Sequence, residues 1–305
     1  MIKTLLRTAA LFAAASVAVP LSAQQAPAPA PAAATIDADP ALWVVKDADT
    51  TIYLFGTIHL LKPGLSWFDE AVKTAFDASD ELVQEIVLPD TATVQKVLVA
   101  TAINPTGPGL SERLPADSRK AYLAALNELG VSAASFDRFD PWFAASNLSI
   151  LKLAKSGYNP DNGAEQALTA AAKQAGKPVS GLETLEQQFG YFDGLSEKSQ
   201  IAFLTETVEQ LPEVETEIDK MVAQWSAGDT DGLADTLNEG LDATPEVAKV
   251  LLFDRNARWA NWIADRMEKP GTVFVAVGAG HLAGKDSVQA RLASDHQLKA
   301  ERIRY

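Results

Sequence analysis

Two apolar, β-branched runs, Thr51 to Phe55 and Thr272 to Val277, each lead through a glycine to a histidine: Gly56-Thr57-Ile58-His59 and Gly278-Ala279-Gly280-His281. The chain has three histidines, so this shared context accounts for two of them. A glycine at a strand end lets the backbone turn sharply without a Cβ clash, and the histidine then projects over the sheet edge. A single histidine after a strand is more often a packing residue than a ligand. Two in matched contexts point to a common site.

The surroundings repeat as well. Leu42 to Val45 and Thr51 to Phe55 read as a hairpin across the polar turn Lys46 to Asp49. After His59, Trp67 to Ala78 has helical spacing and Glu81 to Leu88 reads as a strand. After His281 come a helix through Asp286 to Ala293 and a last strand around Ala300 to Arg304. The expected fold class is therefore α/β, with a central β-sheet built from two related βα halves, each with a G-x-x-H turn. That arrangement brings both turns to neighbouring strand ends, where αβ sheets bind ligands.

Between the halves lies a large helical insertion, at about 91–267. PADSRKAYLAALNEL, PWFAASNLSILKLA, NGAEQALTAAAKQAG and TPEVAKVLLFDRNARWANWIADRM all space their apolar residues by three and four. Lys177 to Leu182 interrupts them with a short strand. Trp142, following Asp140-Pro141, reads as a core anchor at a helix start.

The first residues combine a basic start (Lys3, Arg7), a short apolar run and a small-x-small end at Leu21-Ser22-Ala23, the pattern of a secretory signal peptide over 1–23. An Ala/Pro-rich linker follows over 24–38, extended and solvated because it has little to bury. The remaining 39–305 is long enough for one substantial domain. Such a leader and linker would place the protein in the periplasm or outside the cell, as expected of a bacterial envelope protein. Loss of Lys3 and Arg7 with the leader moves the formal net charge from −14 to −16. Nucleic acid and anionic membranes both need a basic face, so neither is the expected partner. No later run is apolar and long enough to span a bilayer. With no cysteine, disulfides, thiolate nucleophiles and thiolate metal sites are excluded.

Two imidazoles converging from two strands, completed by a carboxylate, would make a metal site with open positions for water. Glu85, near the end of the strand after the His59 helix, is the first carboxylate candidate, because a charge there is buried only with a partner. Its alternative is a salt bridge with Arg255 or Arg258. Glu183, in Gly181-Leu182-Glu183-Thr184, is the second candidate. Arg255 stands in a helix beside core tryptophans and reads either as a surface residue or as a cation that orients a carboxylate or an anionic substrate group. His296 has no comparable context and reads as a solvated loop residue.

Competing motifs fall short. Gly278-Ala279-Gly280-His281-Leu282-Ala283 matches a dinucleotide-binding fingerprint, but too little chain follows for the rest of such a unit. A P-loop fails at Asp286, and neither G-x-S-x-G nor H-E-x-x-H occurs.

With LWVVKDADTTIYLFGTIHLL and the Glu85 strand at the front, GLETLEQQ in the middle, LLFDRNARWANWI later and VFVAVGAGHL at the back, the sequence resembles the TraB/GumN family, which includes the Tiki proteases. The resemblance covers most of the chain and implies an α/β fold with two related halves. Tiki members are metal-dependent proteases using two G-x-x-H histidines and a glutamate. Carried over, His59, His281 and Glu85 become metal ligands, with Glu85 and Arg255 as catalytic groups. Glu183, and Glu165 in Asn162-Gly163-Ala164-Glu165, lie in family-like stretches as substrate-contacting or supporting residues.

The expected function is an exported metal-dependent hydrolase of the peptidase type, acting on a peptide or protein with a water activated by manganese, cobalt or zinc. The rival is a non-catalytic envelope protein in which the same histidines hold haem or another small ligand. Similarity to GumN would link either one to polysaccharide production.

Overall fold

The computed structural model describes residues 35–241 and 245–305, so the expected leader and most of the Ala/Pro linker lie outside the described residues. The strands are β1 (Ile36–Asp37), β2 (Leu42–Lys46), β3 (Thr50–Thr57), β4 (Leu65–Ser66), β5 (Glu81–Gln84), β6 (Val179–Gly181), β7 (Gly271–Gly278) and β8 (Glu301–Ile303). β1 pairs with β4 in a small parallel sheet, so regular pairing begins at Ile36. The other six form the central sheet in the order β6-β5-β7-β3-β2-β8.

The hairpin forms as expected. Asp47 closes its turn by accepting the backbone N–H groups of Asp49 and Thr50, which is why an aspartate suits that position. β3 then pairs antiparallel with β2 on one side and parallel with β7 on the other, with Thr57 opposite Gly278. The two G-x-x-H turns thus leave adjacent strands at the same end of the sheet.

Both faces of the sheet are covered, and the alternation of side chains along the strands divides them. Phe55, Phe274 and Ala276 join one core with Trp67, Phe76 and the helical bulk of the chain. Ile52, Leu54, Val273, Val275 and Val277 join a second core against Trp259, Ile263 and Leu292. Phe55 stacks on Trp67 at 5.5 Å, which holds Trp67 ahead of the helix Glu70–Ala78 rather than inside it.

Between β5 and β7 the chain is helical apart from β6. The helix Pro141–Lys155 starts with proline in its first turn and buries Trp142, which stacks on Phe192 at 5.3 Å, so this tryptophan is a core anchor. The strand expected over Glu81 to Leu88 ends at Gln84. Past it, the Glu85 carbonyl still accepts the Glu183 N–H, and the chain then leaves the sheet towards Asp90, which caps the helix Thr91–Thr101. The long helical stretch before β7 divides into Pro245–Ala248, a π-helical turn at Lys249–Phe253, and Asp254–Met267. Such wide turns shift the phase of the following residues and concentrate at functional sites. Here Arg255 and Asn256, consecutive in sequence, are both fully buried.

Candidate active site at the ends of the parallel strands

The two histidine turns touch each other. A Cβ on Gly56 would lie 2.9 Å from the Ala279 Cα, so only glycine permits the approach. Gly163 does the same for a third segment, where a Cβ would fall 2.2 Å from the carbonyl oxygen of His59. The Ala164 N–H donates to the Ile58 carbonyl at 3.0 Å, seating the start of the helix Ala164–Ala175 on the His59 turn. Glu165, in the first turn of that helix, thereby reaches His59. Its Oε1 lies 2.6 Å from Nδ1. Gln84 secures the same helix to β5 by donating to the Glu165 carbonyl and accepting from Thr169.

A carboxylate at 2.6 Å from Nδ1 is favourable when that nitrogen carries the proton. His281 is held through the same nitrogen by a different group. Its Nδ1 lies 2.6 Å from Asn256 Oδ1, and the Asn256 amide donates to the Asp286 carbonyl at 2.8 Å, which fixes the amide orientation. On the far side of the ring, Nε2 is 3.1 Å from Arg255 Nη1. A guanidinium only donates, so Nε2 accepts and Nδ1 bears the proton. Burial, and then the Arg255 charge, push the His281 pKa down to about 3, so the ring is neutral.

Glu85 lies between these elements. One carboxylate oxygen accepts the Gly278 N–H at 2.7 Å; the other takes Arg255 Nη2 at 2.6 Å and Gln188 Nε2 at 3.1 Å. Burial favours the protonated acid, but Arg255 and the Gly278 N–H act against it and bring the pKa down to about 2. Glu183 takes the remaining face of the guanidinium as a fork, with Nε at 2.9 Å and Nη2 at 2.7 Å, and also accepts from the Tyr191 hydroxyl. Arg258, half-exposed, stands 3.6 Å from Glu183 and bonds Tyr191.

The strand ends therefore bring His281, Glu85, Arg255 and Glu183 into direct contact, with the His59–Glu165 pair on the adjoining turn. The salt bridge weighed as the alternative for Glu85 is present, with Arg255 as partner. Arg255 is fully buried, which excludes its surface reading. Asn256, Gln188 and Tyr191 complete the cluster. Asn256 stood next to Arg255 in the sequence without a role, and no spacing linked it to His281. Glu165 keeps 21% side-chain exposure, against 8% for His59. His296 lies elsewhere: it ends the helix Val288–His296, bonds Asn261 and shares a surface hollow with Asp47 and Asp49 at the hairpin turn.

Residues 41–296 match the model of the TraB/PrgY/gumN family. The chain belongs to this family. Among curated proteins it is similar to the uncharacterized protein YbaP of Escherichia coli (strain K12), with 25% identity over 253 residues, 83% of this chain and 92% of that protein. It is also similar to an uncharacterized protein of Treponema pallidum (strain Nichols), with 22% identity over 265 residues, 81% of this chain and 78% of that protein. No solved structure matches. Among the described residues no helix of this family member is long and apolar enough to cross a membrane.

Proposed function

We propose that the strand-end cluster is a hydrolytic centre and that this TraB-family protein, exported to the bacterial envelope, cleaves peptides or proteins. The observation that carries it is the Glu165–His59 pair at 2.6 Å, a carboxylate-oriented imidazole beside a buried ionic cluster. Orientation through Nδ1 is what lets a histidine act as general base through Nε2. In the proposed reaction His59 Nε2 takes a proton from water as the water oxygen attacks the substrate carbonyl. The carbon–nitrogen bond then breaks, and the same nitrogen returns the proton to the leaving amine. Glu165 stabilises the imidazolium that forms in between. Arg255, Glu85, Glu183 and His281 fix the strand ends against which the substrate sits. The two strand–turn–histidine units act as related halves, each supplying one imidazole.

Manganese, cobalt or zinc held by His59, His281 and Glu85 would be the metal-dependent form of this proposal. As arranged, those residues do not fit the ion. Both Glu85 oxygens and His281 Nε2 already bond Gly278, Gln188 and Arg255. Among the described residues no group of three or more His, Asp or Glu side chains is placed to hold a metal. The proposed proton transfers accordingly use protein groups alone. The haem-binding rival finds a charged surround at both histidines, with Glu165 on one and Arg255 on the other, in place of an apolar slot.

A screen of peptide, amide and ester substrates with the wild type and His59→Ala tests the proposal. Turnover that falls by about 10²–10⁴-fold in the variant is expected. Equal turnover in both would remove His59 from the chemistry.

A further inference from the structure

We infer that Arg255 is the resident cation of this site and keeps a divalent metal off His281, Glu85 and Glu183. All three guanidinium nitrogens are used: Nε on Glu183, Nη2 on both carboxylates, and Nη1 on His281 Nε2. The group is fully buried and lies over the Trp259 ring at 4.6 Å. Three side chains of metal-ligating type thus converge on one positive charge, and that charge belongs to the protein.

The consequence follows from what a metal must displace. At an ordinary histidine or carboxylate site the competitor is a proton, and a metal ion releases it. An arginine side chain is not deprotonated in proteins, so it can give way only by moving bodily. Here movement would strip the forked ion pair from Glu183 and leave a guanidinium to be rehoused from a buried position. A divalent ion entering beside it would face a fixed positive charge 3.1 Å from the nitrogen it needs. Glu85 and Glu183 share the Arg255 charge, and Arg258 stands 3.6 Å from Glu183, so each carboxylate has a cationic neighbour and hydrogen bonds.

The inference stands on this geometry and holds whether or not the site hydrolyses peptides. Calorimetry with manganese, cobalt and zinc on the wild-type protein is expected to find no binding that His281→Ala removes. With only three histidines, nitrogen NMR of the imidazole rings resolves the same point directly. The His281 resonances, with Nδ1 protonated, are expected to stay unchanged as each metal is added. Stoichiometric metal in the wild type, with a shift of the His281 nitrogens, would overturn the inference. Metal binding in the wild type would leave the hydrolase proposal standing, whereas an inactive but metal-free protein would leave this inference standing.

Discussion

The guanidinium of Arg255 and the carboxylate of Glu85, 170 positions apart in the chain, meet at 2.6 Å with both side chains buried. Removing one partner of such a pair leaves an uncompensated charge in a low-dielectric interior, which costs about 3–5 kcal/mol. Arg255→Met and Glu85→Leu are each expected to lose stability on that scale in urea unfolding. The double variant should lose less than the sum of the two, because Glu85 and Arg255 no longer leave each other unpaired and only the loss of the Glu183 fork remains. Additive losses would mean the pair is not coupled.

Acid should weaken the metal-free fold through the same cluster. His281 is neutral when folded, with its pKa pushed down to about 3 by burial and then by Arg255. Between pH 6.5 and about 3 the unfolded chain therefore binds the extra proton, and stability falls as the pH falls through that window. Glu85, at about 2 when folded, adds a second loss below its ordinary value of 4.5. Denaturation midpoints are expected to be level above pH 6.5 for this pair and to decline steadily below it. His281→Gln should flatten the upper part of the decline.

Gly163 makes room for the His59 carbonyl, so Gly163→Ala must push the helix Ala164–Ala175 away from the turn. The expected cost is about 1–3 kcal/mol, the scale of overpacking in a tight interior. Because Glu165 travels with that helix, the variant should lose turnover beyond what the stability change explains. Comparing kcat at a temperature where both proteins are folded separates the two effects.

Asn256 holds His281 through Nδ1, and its loss leaves a buried donor unpaired at a cost of about 1–3 kcal/mol. Asn256→Ala is expected to show that destabilisation together with an altered His281 nitrogen spectrum. A stability loss with unchanged ring nitrogens would show that the amide does not set the tautomer.

Much of this was legible in the sequence, for identifiable reasons. The runs of β3 and β7 are β-branched and apolar nearly throughout, the pattern of strands covered on both faces. β3 and β7 pair with Thr57 opposite Gly278, so His59 and His281 follow the ends of adjacent strands. Glu85 and Glu183 stood out as charges at the ends of apolar strands, where partners are obligatory. What was not legible depends on contacts that leave no local pattern. Glu165 meets His59 because Gly163 lets a distant helix sit on the turn. Arg255 points inward after a π-helical turn that a 3.6-residue period does not anticipate. The early end of β5 has the same origin, since Glu85 bonds Gly278 and Arg255 where a longer ladder was expected.

The central claim is that His59, oriented by Glu165, removes a proton from water at this cluster. The most direct measurement is mass-spectrometric detection of cleavage in a peptide mixture incubated with wild-type protein and, in parallel, with folded His59→Ala. The account predicts new termini in the wild-type sample and a loss of about 10²–10⁴-fold in their rate of appearance in the variant. Cleavage at equal rates in both samples would contradict it.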